Sequence, residues 1–262
     1  MKANRILEME KYITLKGTAS IEELQRQFDV SANTVRRDIA ELLQRGAAEK
    51  VYGGVRARPA SQTLTPYELR QMSGGEAKEL IGRTAAQLVR DGDVIFIDSG
   101  TTTLRMIDHL KDRRDVTIIT HSLGAVIRAL PYENLHVIVL PGSLRRKTNS
   151  MTGSDSVKAM KKYNIRTAFM AATGVSMHGA TNSSAQEYDI KQAAVECSDR
   201  SILLVDRHKF GITGMMTYAP ISSFEAVVTD EEPGEDYLNL LKENDVRLIL
   251  PEEPVDQNKE GE

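Results

Sequence analysis

Seven short apolar runs recur between residues 94 and 250 of this 262-residue chain, at 94–97, 116–119, 135–140, 167–170, 201–205, 226–228 and 246–250. Each is too short to be a buried helix, and most are separated by amphipathic segments. Strands that are apolar on both faces are covered on both faces, and strands alternating with helices make a mostly parallel sheet. The expected class for this body is therefore α/β. The first 56 residues fall outside the pattern, which leaves room for a smaller second domain of a different kind.

That head has helical spacing. Ile6, Met9 and Ile13 fit one face of a helix that stops near Gly17. Ser20 followed by Glu23 is a capping box, and Ile21, Leu24 and Phe28 form the apolar face of a second helix. Asp29 and Val30 make a turn, and Ser31 is placed to cap a third helix. On a helical wheel Val35, Ile39, Leu42 and Leu43 cluster on one side, with Ala32 at its edge. Asn33, Thr34 and Arg37 lie opposite, flanked by Arg36 and Asp38. The apolar side packs inward, and the polar side is what a helix-turn-helix presents to the major groove. Arg37 can pair bidentately with guanine, and Asn33 can read adenine or a phosphate. Arg36 is aimed at phosphate, with Asp38 as its expected partner. Gly46 is expected to end the helix, and residues 47–56 to form a hairpin punctuated by Gly53 and Gly54. Lys50, Tyr52 and Arg56 would ride on this wing against the backbone or the minor groove. The candidate DNA-contacting set is Ser31, Asn33, Thr34, Arg36, Arg37, Lys50, Tyr52 and Arg56.

Charge agrees in direction. Residues 1–58 hold 11 Lys and Arg against 8 Asp and Glu, whereas the remainder holds 23 against 29. A mildly basic head on an acidic body suits a head that meets a polyanion. No apolar run approaches the length of a membrane span, and the first residues lack the apolar core of a signal peptide. Cys197 is the only cysteine, so no internal disulfide can form, and a cytoplasmic setting is expected.

The boundaries expected are a winged head over 1–56, a linker over 57–75 with about one helical turn near Tyr67, a sensing and oligomerising body over 76–252, and a polar tail over 253–262. In open α/β sheets ligands bind beyond the carboxyl ends of the strands. The first such end reads Asp98-Ser99-Gly100-Thr101-Thr102-Thr103 and runs into a helix over 104–110. A close-approach glycine, hydroxyl donors and a helix start can cradle one phosphate. The spacing matches neither a Walker loop nor a dinucleotide fingerprint. An ordinary strand-to-helix turn would read the same way. Other strand ends contribute His121, Gly142 with Arg145, Arg146 and Lys147 nearby, and Lys209 as a point charge. Gly174, and Glu187 at a helix start, could meet sugar hydroxyls. The five histidines have no metal-ligand spacing, and no nucleophile, base and orienting group stand at recognisable spacing. Neither a metal, a cofactor nor a catalytic residue is therefore expected.

The head resembles the winged helix-turn-helix of the DeoR family of bacterial transcription regulators. Val30, Ser31, Thr34, Val35, Arg36, Arg37, Asp38, Gly46, Gly53 and Gly54 fill the places of that family's signature, and the resemblance continues to about residue 230. In the body, Asp98, Gly100, Thr101 and Thr102 match one family pattern, and Asp206, Lys209, Phe210 and Gly211 another. The resemblance implies a body with the fold shared by ribose-5-phosphate isomerase and CoA transferases. It also implies a phosphorylated sugar or sugar derivative as effector, and repression of carbohydrate-metabolism genes. By it, the effector-contacting set is Asp98, Ser99, Gly100, Thr101, Thr102, His121, Gly142, Glu187 and Lys209. The chain departs from the pattern at His121 (usually Asn), Pro141 (usually Gly) and His208 (usually Ser). The partners expected are operator DNA, the sugar phosphate and further copies of the chain, as a dimer or tetramer. Two other readings compete with a regulator: an isomerase or transferase carrying a DNA-binding head, and an architectural DNA-binding protein whose body only oligomerises.

Overall fold

The computed structural model describes residues 2–44, 47–51, 53–57 and 67–252. The chain divides into two compact units, Met1–Ser73 and Gly74–Glu262. Gly46, Tyr52, most of the linker and the polar tail lie outside the described residues.

In the first unit α1 (Lys2–Lys16) buries Ile6, Met9 and Ile13 and stops at Gly17, whose φ of 79° is the left-handed turn that ends a helix. Strand β1 (Thr18–Ser20) follows, then α2 (Ile21–Phe28). Ser20 Oγ accepts from Glu23 N at 3.1 Å, so the capping residue works as its spacing demands. Asp29 turns the chain at φ 47°, a conformation Asp tolerates better than bulkier residues. Helix α3 (Ala32–Gln44) starts under Ser31, whose Oγ accepts from Thr34 N at 3.3 Å. Strands β2 (Ala48–Val51) and β3 (Gly54–Ala57) form the wing. The three helices and the wing close over one core that includes Leu24, Val35, Leu42 and Val55.

Two features differ from the sequence reading. The wing is a three-stranded antiparallel sheet in the order β1-β3-β2, not a lone hairpin. Gly54 permits it: a Cβ there would stand 2.2 Å from the Ala19 carbonyl oxygen across the β1–β3 pair. And Asp38 does not sit on a flank holding Arg36. It is fully buried and takes Arg5 from α1, Nε to Oδ2 at 2.7 Å and Nη2 to Oδ1 at 3.3 Å. A buried carboxylate needs a partner that comes in with it, and Arg5 reaches across from the neighbouring helix.

A short helix, α4 (Tyr67–Met72), closes the first unit. The second opens with α5 (Gly75–Ala86) and β4 (Val94–Ile97), followed by a 3-10 helix (Thr103–Leu110). Then come β5 (Val116–Thr120), α6 (Leu123–Ala129), β6 (Leu135–Val139), the hairpin β7 (Ser143–Arg145) and β8 (Ser150–Thr152), and α7 (Ser154–Met160). Next are β9 (Ile165–Ala171), β10 (Gly174–Ser176), β11 (Gly179–Asn182), α8 (Ala185–Glu196) and β12 (Ser198–Leu204). The unit ends with β13 (Met216–Ala219), β14 (Ala226–Val228), α9 (Glu235–Glu243) and β15 (Arg247–Ile249).

All seven apolar runs are strands of one sheet, ordered β15-β14-β12-β9-β4-β5-β6, and every pairing in it is parallel. Phe96, Phe169, Leu203 and Val227 are buried in it without exposed surface. The small antiparallel sheet β10-β11-β13 and the β7–β8 hairpin are additions that the apolar runs do not announce. From β4 the chain builds outward through β5 and β6, then returns to place β9 on the other side of β4. The order reverses there, and in sheets of this kind the crevice for a ligand is expected beyond the carboxyl ends of the strands at that point, here β4 and β9. Among the described residues no helix is long and apolar enough to cross a membrane.

Candidate functional site

The head presents one polar helix face. Ser31, Asn33, Arg36 and Arg37 are exposed and Thr34 is half-buried, while Val35, Asp38, Ile39 and Leu42 are turned inward. The Ser31 hydroxyl is engaged by the cap and lies 3.0 Å from Thr34 Oγ1. Arg36 Nη1 donates to Asn33 Oδ1 at 3.4 Å, one turn back on the same helix. Lys50 is exposed on β2. Arg56 on β3 faces Glu49 across the wing, Nη1 to Oε1 at 3.5 Å. The angle at which α3 stands is set by α1 and α2. Arg5 pins Asp38, and Tyr12 gives its hydroxyl to Glu23 at 3.0 Å and meets Phe28 edge-on at 5.9 Å. Lys16 also pairs with Glu23, holding that carboxyl below the usual range. This is a rigid three-helix mount for a cationic face of groove-reading size.

The second site is the crevice at the strand reversal. Asp98 ends β4 and has no exposed surface. Its carboxylate accepts from Ser99 N at 2.8 Å and Ala171 N at 2.9 Å, faces His121 Nε2 at 3.2 Å, and pairs with the Lys191 ammonium. Burial on its own would raise the Asp98 pKa. Lys191 and His121 outweigh it and hold the carboxyl well below the usual carboxylate range. Lys191 is itself buried on α8. It donates to the Ala171 carbonyl at 3.0 Å and lies 5.3 Å from the centre of the Tyr218 ring. The Tyr218 hydroxyl donates to the same carbonyl at 3.0 Å, and burial beside Asp98 pushes its pKa well up.

Gly100 follows, where a Cβ would stand 2.1 Å from Ala171 Cβ, so only glycine lets the turn lie against β9. Thr103 Oγ1 locks the turn by donating to the carbonyls of Asp98 and Gly100, both at 2.8 Å. Ser99, Thr101 and Thr102 are buried around it. A second carboxylate closes the other wall. Glu187 Oε1 on α8 accepts from Ser99 Oγ at 2.7 Å and from Ser150 Oγ on β8 at 2.8 Å, and Ser150 in turn meets Thr148 at 2.7 Å.

Asp98, Ser99, His121 and Glu187 thus belong to one buried hydrogen-bonded group. His121 has both ring nitrogens occupied, Nε2 on Asp98 and Nδ1 on the Met151 carbonyl at 3.1 Å, with the ring stacked on Phe96. It has no exposed surface, and Asp98 is the member of the group that it touches. Gly142 stands at the end of β6, where φ is 153° and a Cβ would meet Thr152 O at 2.7 Å, which lets the hairpin fold back. Lys209 lies in a short 3-10 turn after β12, opened by Asp206, whose Oδ1 accepts from His208 N at 3.2 Å. Gly142 thus follows the edge strand β6, whereas Lys209 follows β12, the inner strand beside β9. The sequence reading missed Lys191, Ser150 and Tyr218. Lys191 did leave a signal: with Glu187 it sits at i and i+4 on a helix face whose other members, Ile190, Ala193 and Ala194, are buried. Among the described residues no group of three His, Cys, Asp or Glu side chains is placed to hold a metal ion.

Comparison with known proteins matches both units. Residues 5–60 fit the model of the DeoR-like helix-turn-helix domain, and residues 74–231 that of the DeoR C terminal sensor domain. The HTH-type transcriptional regulator IolR of Bacillus subtilis strain 168 is 41% identical over 251 residues, covering 95% of this chain and 100% of that protein. The glycerol-3-phosphate regulon repressor of Escherichia coli K12 is 29% identical over 248 residues, covering 94% and 97%. Among solved structures, D-ribose-5-phosphate isomerase in complex with phospho-erythronic acid aligns over 53% of this chain and 55% of that one, at a TM-score of 0.40 and 18% identity.

Proposed function

This chain belongs to the DeoR family of helix-turn-helix transcriptional regulators, and we propose that it is a repressor of carbohydrate-metabolism genes whose operator binding is controlled by a sugar phosphate held at the β4–β9 crevice. The observation that carries the effector reading is the buried group around Asp98. The Gly100–Thr103 turn offers hydroxyls and backbone N–H groups at a helix start, the chemistry that holds a phosphoryl group. Asp98 and Glu187 beside it are carboxylates already engaged with hydroxyl, amine and amide donors, the chemistry that accepts sugar hydroxyls. A relative whose name couples repression to glycerol 3-phosphate supports a phosphorylated polyol as the ligand class.

Arg37 and Asn33 read bases in the major groove, while Arg36, Lys50 and Arg56 meet phosphates. One small head reads few base pairs, so the working form is a dimer or tetramer with heads on successive major grooves. The effector lowers operator affinity by binding more tightly to the arrangement of heads that does not fit the operator, since a ligand indifferent to the two arrangements shifts nothing. The test is fluorescence anisotropy on DNA from upstream of the chain's own gene, with a panel of sugar phosphates. Salt-sensitive binding that one compound weakens is expected. Binding that none of them alters would overturn the effector reading and leave the DNA reader standing.

A further inference from the structure

Ser184 and Glu187 have the spacing of a capping box at the start of α8, the same pattern as Ser20 and Glu23 at the start of α2. In α2 the serine hydroxyl caps the helix. In α8 neither member does. Glu187 is drawn off to Ser99 and Ser150, and Glu187 N is bonded to the Ser184 carbonyl at 3.0 Å instead of the hydroxyl. Ser184 is only 4% exposed, yet its Oγ has no hydrogen-bond partner. Among the described residues two other buried side-chain atoms share that condition, Arg145 Nε and Ser201 Oγ, and neither stands at a helix start. A buried hydroxyl without a partner costs free energy, so a group that supplies one is favoured there.

The place is the far lip of the same crevice. Ser183 N donates to Thr173 Oγ1 at 3.1 Å, which holds the start of α8 against the loop leaving β9. Three residues on, Glu187 touches Ser99 at the phosphate turn. Three residues of helix rise about 4.5 Å, so the α8 start is joined to the turn at Ser99 through one helical turn and the Glu187 side chain. Helix geometry leaves the N–H groups of Ala185 and Gln186 without an intrahelical partner. The donors at this lip are therefore two amides and a hydroxyl, with the Glu187 carboxylate one turn behind them. An incoming carboxylate would meet that charge, whereas a hydroxyl accepts from the amides and donates towards the carboxylate.

We infer that the first turn of α8, through the Ser184 hydroxyl and the N–H groups of Ala185 and Gln186, is a specificity subsite for a hydroxyl of the effector at the end remote from its phosphate. The inference rests on the effector reading of the crevice. It makes Ser184 a residue that distinguishes polyol phosphates from phosphate itself.

The experiment is calorimetric titration of the full chain with inorganic phosphate, ribose 5-phosphate, glucose 6-phosphate and fructose 6-phosphate, and with ribonate 5-phosphate as the carboxylate analogue. The same set is run on Ser184→Ala and on Ser184→Thr, which keeps the hydroxyl. For the tightest of the sugar phosphates, the affinity relative to inorganic phosphate is expected to fall at least tenfold in Ser184→Ala and to return within threefold of wild type in Ser184→Thr. A ratio that does not change in Ser184→Ala overturns the subsite while leaving the phosphate turn intact. Tighter binding of ribonate 5-phosphate than of ribose 5-phosphate, lost in Ser184→Ala, overturns the hydroxyl in favour of an oxyanion. Failure of every phosphate compound to bind wild type overturns the effector reading itself, and the subsite with it.

Discussion

Replacing Asp98 by Asn should destabilise the second unit strongly, and replacing Lys191 as well should add less than Lys191 costs on its own. Asp98 has no exposed surface and Lys191 is nearly as buried. In Asp98→Asn the ammonium loses its counter-charge and keeps only neutral acceptors and the Tyr218 ring, an uncompensated buried charge worth about 3–5 kcal/mol. Lys191→Met should cost about 3 kcal/mol, the low end of that range, because Asp98 keeps two backbone N–H donors and His121. The double variant buries no unpaired charge, so its cost should fall short of the sum by about 1–3 kcal/mol. In a unit of this size each kcal/mol moves Tm by about 2–4 °C, so Asp98→Asn should melt roughly 6–20 °C early. The assay is thermal and urea unfolding of the four proteins at pH 7, followed by tyrosine near-ultraviolet circular dichroism. The pH dependence has a fixed sign. The folded carboxyl titrates below its unfolded value of about 3.9, so its stabilisation is complete above about pH 5 and is lost as pH falls through the folded value. Asp98→Asn should remove that part of the acid limb. A cost under about 1 kcal/mol for Asp98→Asn, or strict additivity in the double variant, would refute the buried pair as the organising contact of the crevice.

Three further predictions concern the two sites. Arg37→Ala should relax base preference at one operator position by about 1–3 kcal/mol, whereas Lys50→Ala should weaken all DNA alike and lower the salt slope by about one unit; anisotropy on matched and mismatched operators separates them, and equal effects on every sequence would reject the division. Asp38→Ala, which removes a residue that DNA cannot reach, should lower operator affinity at least tenfold by freeing Arg5 and letting α3 tilt; unaltered affinity would show that the helix mount does not depend on this pair. Lys209→Ala should blunt the response to the sugar phosphate that releases wild-type protein from its operator, read as a rightward shift of the dose-response curve; a superimposable curve would remove Lys209 from the effector set.

The parts legible in the sequence were those written as period and punctuation. Seven apolar runs became seven strands because a strand buried on both faces leaves no ambiguity of side. Ser20, Gly17 and Ser31 marked helix ends because capping is a local interaction between residues two to four apart. What escaped was non-local or very short. Strand β1 is three residues long and exists because Gly54 lets β3 approach Ala19. Asp38 looked like a flank residue because its partner, Arg5, is 33 positions away on another helix. Lys191 drew no attention because Asp98, which draws it inward, is 93 positions away.

The position of α8 explains why these buried charges are concentrated at one place. Its Lys191 holds the end of β4, its Glu187 holds both the turn at Ser99 and the hairpin at Ser150, and Ser183 just before it ties to the loop after β9. One helix therefore touches every wall of the crevice through polar contacts that a ligand's hydroxyls can compete for. Apolar packing alone would hold α8 with graded, non-directional contacts. Hydrogen bonds and a buried ion pair have partners that are either made or exchanged, which suits two discrete arrangements. On the proposed effector reading, a ligand hydroxyl that took Ser99 or Ser150 from Glu187 would change the hold on the turn, the helix and the hairpin at once. His121 extends the same chain of contacts, since it joins Asp98 to the β8 backbone at Met151. Asn at this position is shorter and lacks the reach of the imidazole ring between those two partners. His121→Asn should therefore loosen the hairpin, seen as faster amide exchange across β7 and β8, while exchange in the head stays as in wild type; equal protection of the hairpin in both proteins would show that His121 is not the tie.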